Sequence, residues 1–427
     1  MNLPNTISRR NFLAAGAFAT TTIALSAKSY GRVLGSNERI GVGFIGAGGM
    51  GTKHLEACKG LKDSDNLQFL GVADCWRKRA EEGAALLETE ALVDYRKLLD
   101  KQDIDYVTIA TPEHRHAQIV LDALDSEKAV YCEKPLAHTI EEGQSLVKKQ
   151  KETRRPLQVG VQSMSDACYS TAAQAIAGGV IGKVVQAQIE YVRRYNSQGL
   201  FRKRDLDPKM PKPEDLDWNA WLGDAPEIAW DPHRYFEWRC YSTYSGSIAT
   251  DLFIHRISRI IKACNLTYPR RVVGMGGIWQ WNDGRDLPDN FEMICEYPRG
   301  MTVYVLGTQS NRVDFEHLIR GYEGTLYFNA NGWVAKDKDG KEISSDKSPP
   351  KEDISIHHTN LHNHLRNNEP LNCPVELGLA SLVATCMANE SWRQSKVIGW
   401  DDQHQKMASA DSLNLSHLPE PLDSQSD

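Results

Sequence analysis

Scattered cysteines, a deficit of basic residues and the scarcity of long apolar runs set the first limits on this 427-residue chain. The nine cysteines, at 58, 75, 132, 168, 240, 264, 295, 373 and 386, form no CxxC pair, which argues against both a zinc ribbon and a disulfide framework. Lys and Arg number 50 against 56 Asp and Glu, a formal charge of −6. It becomes −8 without the first 27 residues, whose only charges are Arg9 and Arg10. An acidic chain with dispersed basic residues lacks the stripe that nucleic-acid binding requires. A 41% apolar share still supplies a sizeable core, and the length exceeds one ordinary domain, so two domains are expected.

The chain is organised around Arg39 to Gly51, RIGVGFIGAGGMG. The apolar run Ile40 to Ile45 predicts a buried strand that breaks into Gly46-Ala47-Gly48-Gly49-Met50-Gly51, a GxGxxG turn opening a helix at Thr52. Gly46 permits the tight turn, Gly48 lets backbone N–H groups approach a pyrophosphate, and Gly51 lets helix and strand pack closely. The phosphates then sit at the positive end of the helix. A second strand, Leu67 to Ala73, ends in Asp74, 23 residues after Gly51, the spacing of a carboxylate that holds an adenosine ribose. At Arg77, Lys78 and Arg79 two readings compete: a solvated helix face, or cations for the 2′-phosphate of NADP. Asp74 would repel that phosphate, so NAD is favoured and NADP stays open.

The N-terminal segment Ser8-Arg9-Arg10-Asn11-Phe12-Leu13, continued by an apolar stretch to Ala27, resembles a twin-arginine export signal. Cleavage is expected after Ser26 or Ala27, giving a periplasmic or otherwise exported protein, membrane-anchored if the signal stays uncut. The export machinery is then a partner, and the cofactor, loaded before transit, must be held tightly and reset in the same site.

Along the first domain, the strand Tyr106 to Ala110 ends in Thr111-Pro112, which turns the chain over the cofactor crevice. His116 follows at a helix start, where a histidine is commonly a cap or surface residue, and is also a candidate nucleotide contact. The strand Ala129 to Cys132 then runs into Glu133-Lys134-Pro135. The glycine turn, Asp74, the Thr-Pro terminus and Glu-Lys-Pro together resemble the glucose–fructose oxidoreductase, inositol dehydrogenase and MocA family, over about residues 37 to 400. The resemblance implies an α/β fold: a Rossmann doubly wound parallel sheet, then an α+β domain with a large, mainly antiparallel open sheet. It places Lys134 opposite the nicotinamide and the substrate hydroxyl, where an amine can stabilise a developing alkoxide. Gly46, Gly48, Gly49, Met50, Gly51, Asp74, Thr111, Pro112, His116, Glu133, Lys134 and Gln162 are the candidate cofactor residues.

In the second domain, alternation over Lys183 to Tyr195 predicts a half-buried strand, and hairpins follow at Phe291 to Gln309 and around Asn329. The resemblance implies a homo-oligomer through this sheet. The insertion Asn196 to Ser245 is rich in Trp, Pro and Arg; its aromatics read equally as an apolar floor for a sugar ring or as loop anchors. Tyr195, Trp238 and Arg239 are substrate-side candidates. Asp251 and His255 stand four apart on an expected helix, on one face, which suits a histidine that takes an alcohol proton and a carboxylate that orients it. The family's Asp-x-x-x-His element matches both positions, whereas Arg256 and Ser258 replace the acidic or amide residue often found after the histidine. Lys134, Asp251 and His255 are therefore the catalytic candidates, and they also belong to the substrate site. His357-His358 to His364 tempts a metal assignment, but no HExxH is made and none is expected; the stretch is expected to start a helix beside Glu376 to Trp392.

The expected organisation is a signal and linker at 1–36, an NAD(P)-binding Rossmann domain at 37–162, a substrate-binding domain at 163–400 and a loosely ordered polar tail at 401–427. The expected activity is oxidation of a secondary hydroxyl of a small-molecule sugar, sugar derivative or cyclitol. Transient oxidation followed by elimination, making a glycosidase or lyase, is the alternative; a non-catalytic sugar- or nucleotide-binding protein is the other.

Overall fold

The structure is a computed structural model describing residues 39–195, 206–246, 248–298 and 300–412. The segment with Arg9 and Arg10, residues 196–205 of the insertion and the end of the tail lie outside the described residues. β1 (Ile40–Ile45) is buried along its whole length, as a strand covered on both sheet faces must be. It pairs in parallel with β2 (Leu67–Ala73) and β4 (Tyr106–Ile109). With β3 (Ala91–Leu92), β5 (Ala129–Glu133) and β6 (Leu157–Gly160) the strand order is β3-β2-β1-β4-β5-β6, all parallel. The order reverses between β1 and β4, which opens a crevice at the strands' carboxyl ends. Gly46 turns the chain there at φ 91°, a conformation that favours glycine, and the helix Gly49–Gly60 follows.

The second lobe is a ten-stranded sheet in the order β14-β13-β12-β11-β7-β10-β9-β8-β15-β16. In chain order these are β7 (Val184–Val192), β8 (Arg271–Gly277), β9 (Asn290–Tyr297), β10 (Met301–Thr308), β11 (His317–Gly321), β12 (Gly324–Asn329), β13 (Gly332–Asp337), β14 (Glu342–Asp346), β15 (Ile398–Asp401) and β16 (Lys406–Ser409). Every neighbouring pair is antiparallel except β7 with β10. Helices Ala167–Ala177, Ile254–Cys264 and Val375–Gln394 pack on the sheet and bury Ala187, Ile189, Phe291, Met293, Val303 and Val305. The intervening side chains point the other way; there Val273, Ile294 and Tyr304 lie side by side across three strands, with Ile294 44% exposed.

Two expectations change. The chain after Asp401 stays ordered: Lys406–Ser409 pairs with β15 as an edge strand, because Met407 folds back onto the core beside Trp400. The histidine-rich stretch does form a helix, Ile354–Asn367, but this packs against Gly49–Gly60 of the first lobe. Its Leu361 is fully buried among Val42, Leu55 and Tyr106.

Candidate active site

A cavity of about 730 Å³ occupies the crevice. On its nucleotide side the wall includes Gly46, Gly48, Gly49 and Met50, then Asp74, Thr111, Pro112 and His116. The glycine turn fits a dinucleotide: a Cβ added to Gly49 meets nothing within 4 Å, so the backbone there is open to a ligand. Gly51 is off the wall and serves packing instead, since a Cβ on it would lie 2.1 Å from the Gly46 carbonyl oxygen. The Asp74 carboxylate accepts from the backbone N–H of Ala47 at 2.8 Å and of Trp76 at 2.9 Å. Burial pushes its pKa up, partly offset by those two bonds. Thr111 Oγ1 is buried at the wall with no protein partner, a donor available to a ligand.

Two nucleotide-side features go beyond expectation, the first at Arg79, one of the cations weighed for a phosphate. Arg79 sits over the rings of Trp76 and Tyr235, 5.0 and 5.3 Å from their centroids. Its Nη1 lies 3.4 Å from where a Gly48 Cβ would stand, so a cation overhangs the phosphate turn. Lys78 is off the cavity wall and, among the described residues, pairs with Glu82 at 3.9 Å. The second feature is the insertion, which is stitched to the residues after Asp74. Asp215 accepts from Trp76 Nε1 and from the Lys78 N–H, each at 2.9 Å, and Asp217 donates its N–H to the Cys75 carbonyl at 2.9 Å. Trp218, Trp221, Tyr235, Tyr241 and Tyr244 form a core of their own, with Trp218 and Trp221 stacked at 4.8 Å. The aromatics therefore act as anchors, and Trp221, Tyr235, Phe236 and Trp238 also face the cavity.

The reactive side gathers residues from both lobes. Lys134, at the carboxyl end of β5, donates from Nζ to the Asp251 carbonyl at 3.0 Å and to Asp251 Oδ1. Arg239 Nε donates to Asp251 Oδ2 at 2.7 Å, and its guanidinium rests on Trp238 at 4.1 Å. Burial raises the Asp251 carboxyl, but the two cations outweigh it and hold the group well below the carboxylate range. Burial pulls Lys134 down, and the Asp251 and Glu133 anions reverse that and raise it. Glu113, buried on the wall, accepts from the Gly246 N–H at 3.0 Å and from Thr250 Oγ1 at 2.9 Å, which ties the Asp251 segment to the first lobe.

The expected Asp251–His255 pair is not made. Residues Ile248–Phe253 form a π-helical turn before the α-helix Ile254–Cys264 begins. A π-turn bonds i to i+5, so an i, i+4 pair no longer stacks as it does in an α-helix. His255 is 8% exposed and absent from the cavity wall, beside Tyr191 at 6.1 Å between ring centroids. Burial and the Lys134 cation lower its pKa to about 3, and its Nδ1 is buried without a partner. The ring is therefore a neutral acceptor.

His116 lines the nucleotide side as expected, and its ring nitrogens also lie near the backbone carbonyls of Pro135 at 2.8 Å and Thr111 at 2.9 Å, so the ring braces the loops around Lys134 as well. Two further candidates are placed differently from expectation. Gln162 and Tyr195 lie off the cavity wall: Gln162 begins a 3₁₀ turn after β6, and the Tyr195 N–H is tied to the Gln309 carbonyl at 2.9 Å. Short-range pattern did not reveal these constraints, because each partner is supplied by the folded backbone. Glu113, beside Pro112, carried a faint signal, and Arg79 was already open to two readings; Asp215 carried none, being 139 residues from Trp76.

A parallel sheet with a glycine turn, a ribose-side carboxylate and a lysine at the strand ends defines a dinucleotide-dependent oxidoreductase. Residues 40–161 match the GFO_IDH_MocA model, an oxidoreductase family with an NAD-binding Rossmann fold, and residues 169–420 match the family's C-terminal alpha/beta domain. The chain belongs to this family. It is 31% identical over 207 residues to inositol 2-dehydrogenase of Rubrobacter xylanophilus, covering 46% of this chain and 53% of that relative, about half its length. It is 25% identical over 328 residues to levoglucosan dehydrogenase of Pseudarthrobacter phenanthrenivorans, covering 68% and 74% of the two chains. A solved structure of levoglucosan dehydrogenase in complex with NADH superposes with a TM-score of 0.66 at 19% identity, over 84% of this chain and 99% of that one.

Proposed function

We propose that this chain oxidises a secondary hydroxyl of a sugar, sugar derivative or cyclitol, with a cofactor retained and reset in its own site. The observation that carries the reading is Lys134: its amine is fixed by Asp251 on the wall of the cavity that the glycine turn opens into. The inositol and levoglucosan dehydrogenases similar to the chain fit a polyhydroxylated substrate.

When bound, NAD supplies the hydride acceptor. Lys134 donates a hydrogen bond to the reacting oxygen and stabilises the alkoxide as it forms. His255, off the wall but close enough to feel the Lys134 charge, is the proposed proton acceptor; burial and that cation make the neutral ring a weak base, so proton transfer leans on Lys134 stabilising the alkoxide. Asp251 holds Lys134 and Arg239 in place, and Trp238 offers an aromatic face to a sugar ring. The stitched insertion closes the adenosine side of the crevice, which suits a cofactor that stays through many turnovers. Such retention matches export by the twin-arginine route, where no free pool of cofactor is at hand. The uncovered sheet face around Ile294 is proposed as the contact between copies of the chain.

Mass spectrometry of nucleotide released on denaturing the purified protein, followed by a sugar panel scored by nicotinamide absorbance, tests the reading. Stoichiometric nucleotide reduced by a sugar supports it; nucleotide-free protein overturns the retention. Glycoside cleavage without net reduction moves the assignment to elimination chemistry.

A further inference from the structure

The histidine-rich helix reaches the site through the interior. Glu133, on the cavity wall beside Lys134, accepts the Lys134 backbone N–H on Oε2 at 3.1 Å. Its Oε1 lies 2.9 Å from His54 Nε2, and His54 Nδ1 lies 2.9 Å from His358 Nε2. Both imidazoles are fully buried, and His358 is stacked on Tyr131 at 4.2 Å between centroids. The chain of bonds ends at His358 Nδ1, buried with no partner.

That ending fixes where the protons are. If Glu133 is ionised, His54 donates from Nε2 and accepts at Nδ1, His358 donates from Nε2, and the last nitrogen is a bare lone pair. If Glu133 carries a proton, or His54 is a cation, the last nitrogen becomes an N–H with no acceptor, and orphaned buried donors are rarer than under-used acceptors. The first arrangement satisfies every donor.

We infer that His54 and His358 are positioning residues: a buried imidazole pair that keeps Glu133 ionised next to Lys134 and so sets the charge balance of the substrate-facing amine. The inference rests on Lys134 meeting the substrate, as proposed above. Burial alone pushes the Glu133 carboxyl up; the His54 bond and the Lys134 cation, with the neutral His255 ring also near, outweigh it and lower the group. His116 on the helix His116–Asp125, His357 on the helix Ile354–Asn367, and Tyr131 and Cys132 on β5 also feel its charge.

The test compares His54→Gln, whose amide still donates to Glu133, with His54→Phe, which cannot. Neither new side chain titrates, so a difference in packing is independent of pH, whereas a lost donor to a carboxylate is not. The Gln variant should exceed the Phe variant in unfolding midpoint by at least about twice as much near pH 7 as near pH 4. Adding Glu133→Gln to both should flatten that dependence. In sugar turnover the Phe variant should lose about tenfold in kcat with KM within about twofold, and its acid limb should rise by about one pH unit. A midpoint gap that is the same at both pH values, or that survives Glu133→Gln, overturns the inference. The stability measurement needs no substrate, so failure of every sugar with wild-type protein would overturn the dehydrogenase reading alone.

Discussion

Asp215 and Trp76 are joined by a 2.9 Å hydrogen bond from the indole Nε1 to the carboxylate, and the same carboxylate holds the Lys78 N–H at 2.9 Å. The pair fastens the insertion over the adenosine side of the crevice. Asp215→Ala removes both bonds and should speed cofactor release severalfold. Nucleotide content of the purified variant, and dilution-driven loss followed by fluorescence, measure it. Unchanged retention would show that the strap does not govern release.

Lys134→Met should lower kcat by about 10²- to 10⁴-fold, because it removes the donor to the reacting oxygen. Asp251→Asn should also impair turnover, since both the Lys134 amine and the Arg239 guanidinium lose their shared anion. Nucleotide content should hold in both variants. Steady-state rates beside released nucleotide separate a chemical defect from a binding one.

Acid stability follows from neutral buried histidines. Burial, as the leading cause, lowers His255 and His114 to about 3 and His357 to about 4 from the ordinary 6.5. Between these values the unfolded chain takes up protons that the folded chain refuses. Stability therefore falls as pH drops below about 6.5, by up to about 1.4 kcal/mol per pH unit for each group. Urea midpoints measured down this range check the slope, and a flat profile would contradict it.

The glycines of the turn should separate cleanly. Gly49→Ala meets open space and should fold normally, while Gly51→Ala drives a methyl against the Gly46 carbonyl and should cost about 1–3 kcal/mol. Thermal unfolding of the two variants makes the comparison. Equal loss in both would mean that the close approach of Gly51 is not what selects glycine there.

On the uncovered sheet face, Ile294→Lys should shift the protein toward smaller species in light scattering if copies meet there, with little change in the fold. A size unchanged from wild type would place any contact elsewhere.

The parallel sheet was legible because its cues are local: an unbroken apolar run, three glycines and a carboxylate at fixed offsets. β7 announced itself by alternation and β9 and β10 by their hairpin, with Phe291, Met293, Cys295 and Tyr297 of β9 pointing inward. β11 and β15, of five and four residues, are too short to show a period and owe their state to neighbours far along the chain. In the site, Lys134 stood out through the family resemblance and Asp251 through its spacing from His255, but the pairing of Lys134 with Asp251 involves a π-turn that residue spacing read as α-helix. Arg239 was one of several arginines until the fold set it on Trp238.

The contact between His54 and His358 spans 304 positions of sequence. The helix carrying His358 is synthesised long after the first helix that follows the glycine turn, yet it walls that helix in. Excising residues 37–162 as a free-standing nucleotide module would bare Leu55 and the ring of His54 to water, so a unit that keeps this wall reaches at least to Asn367.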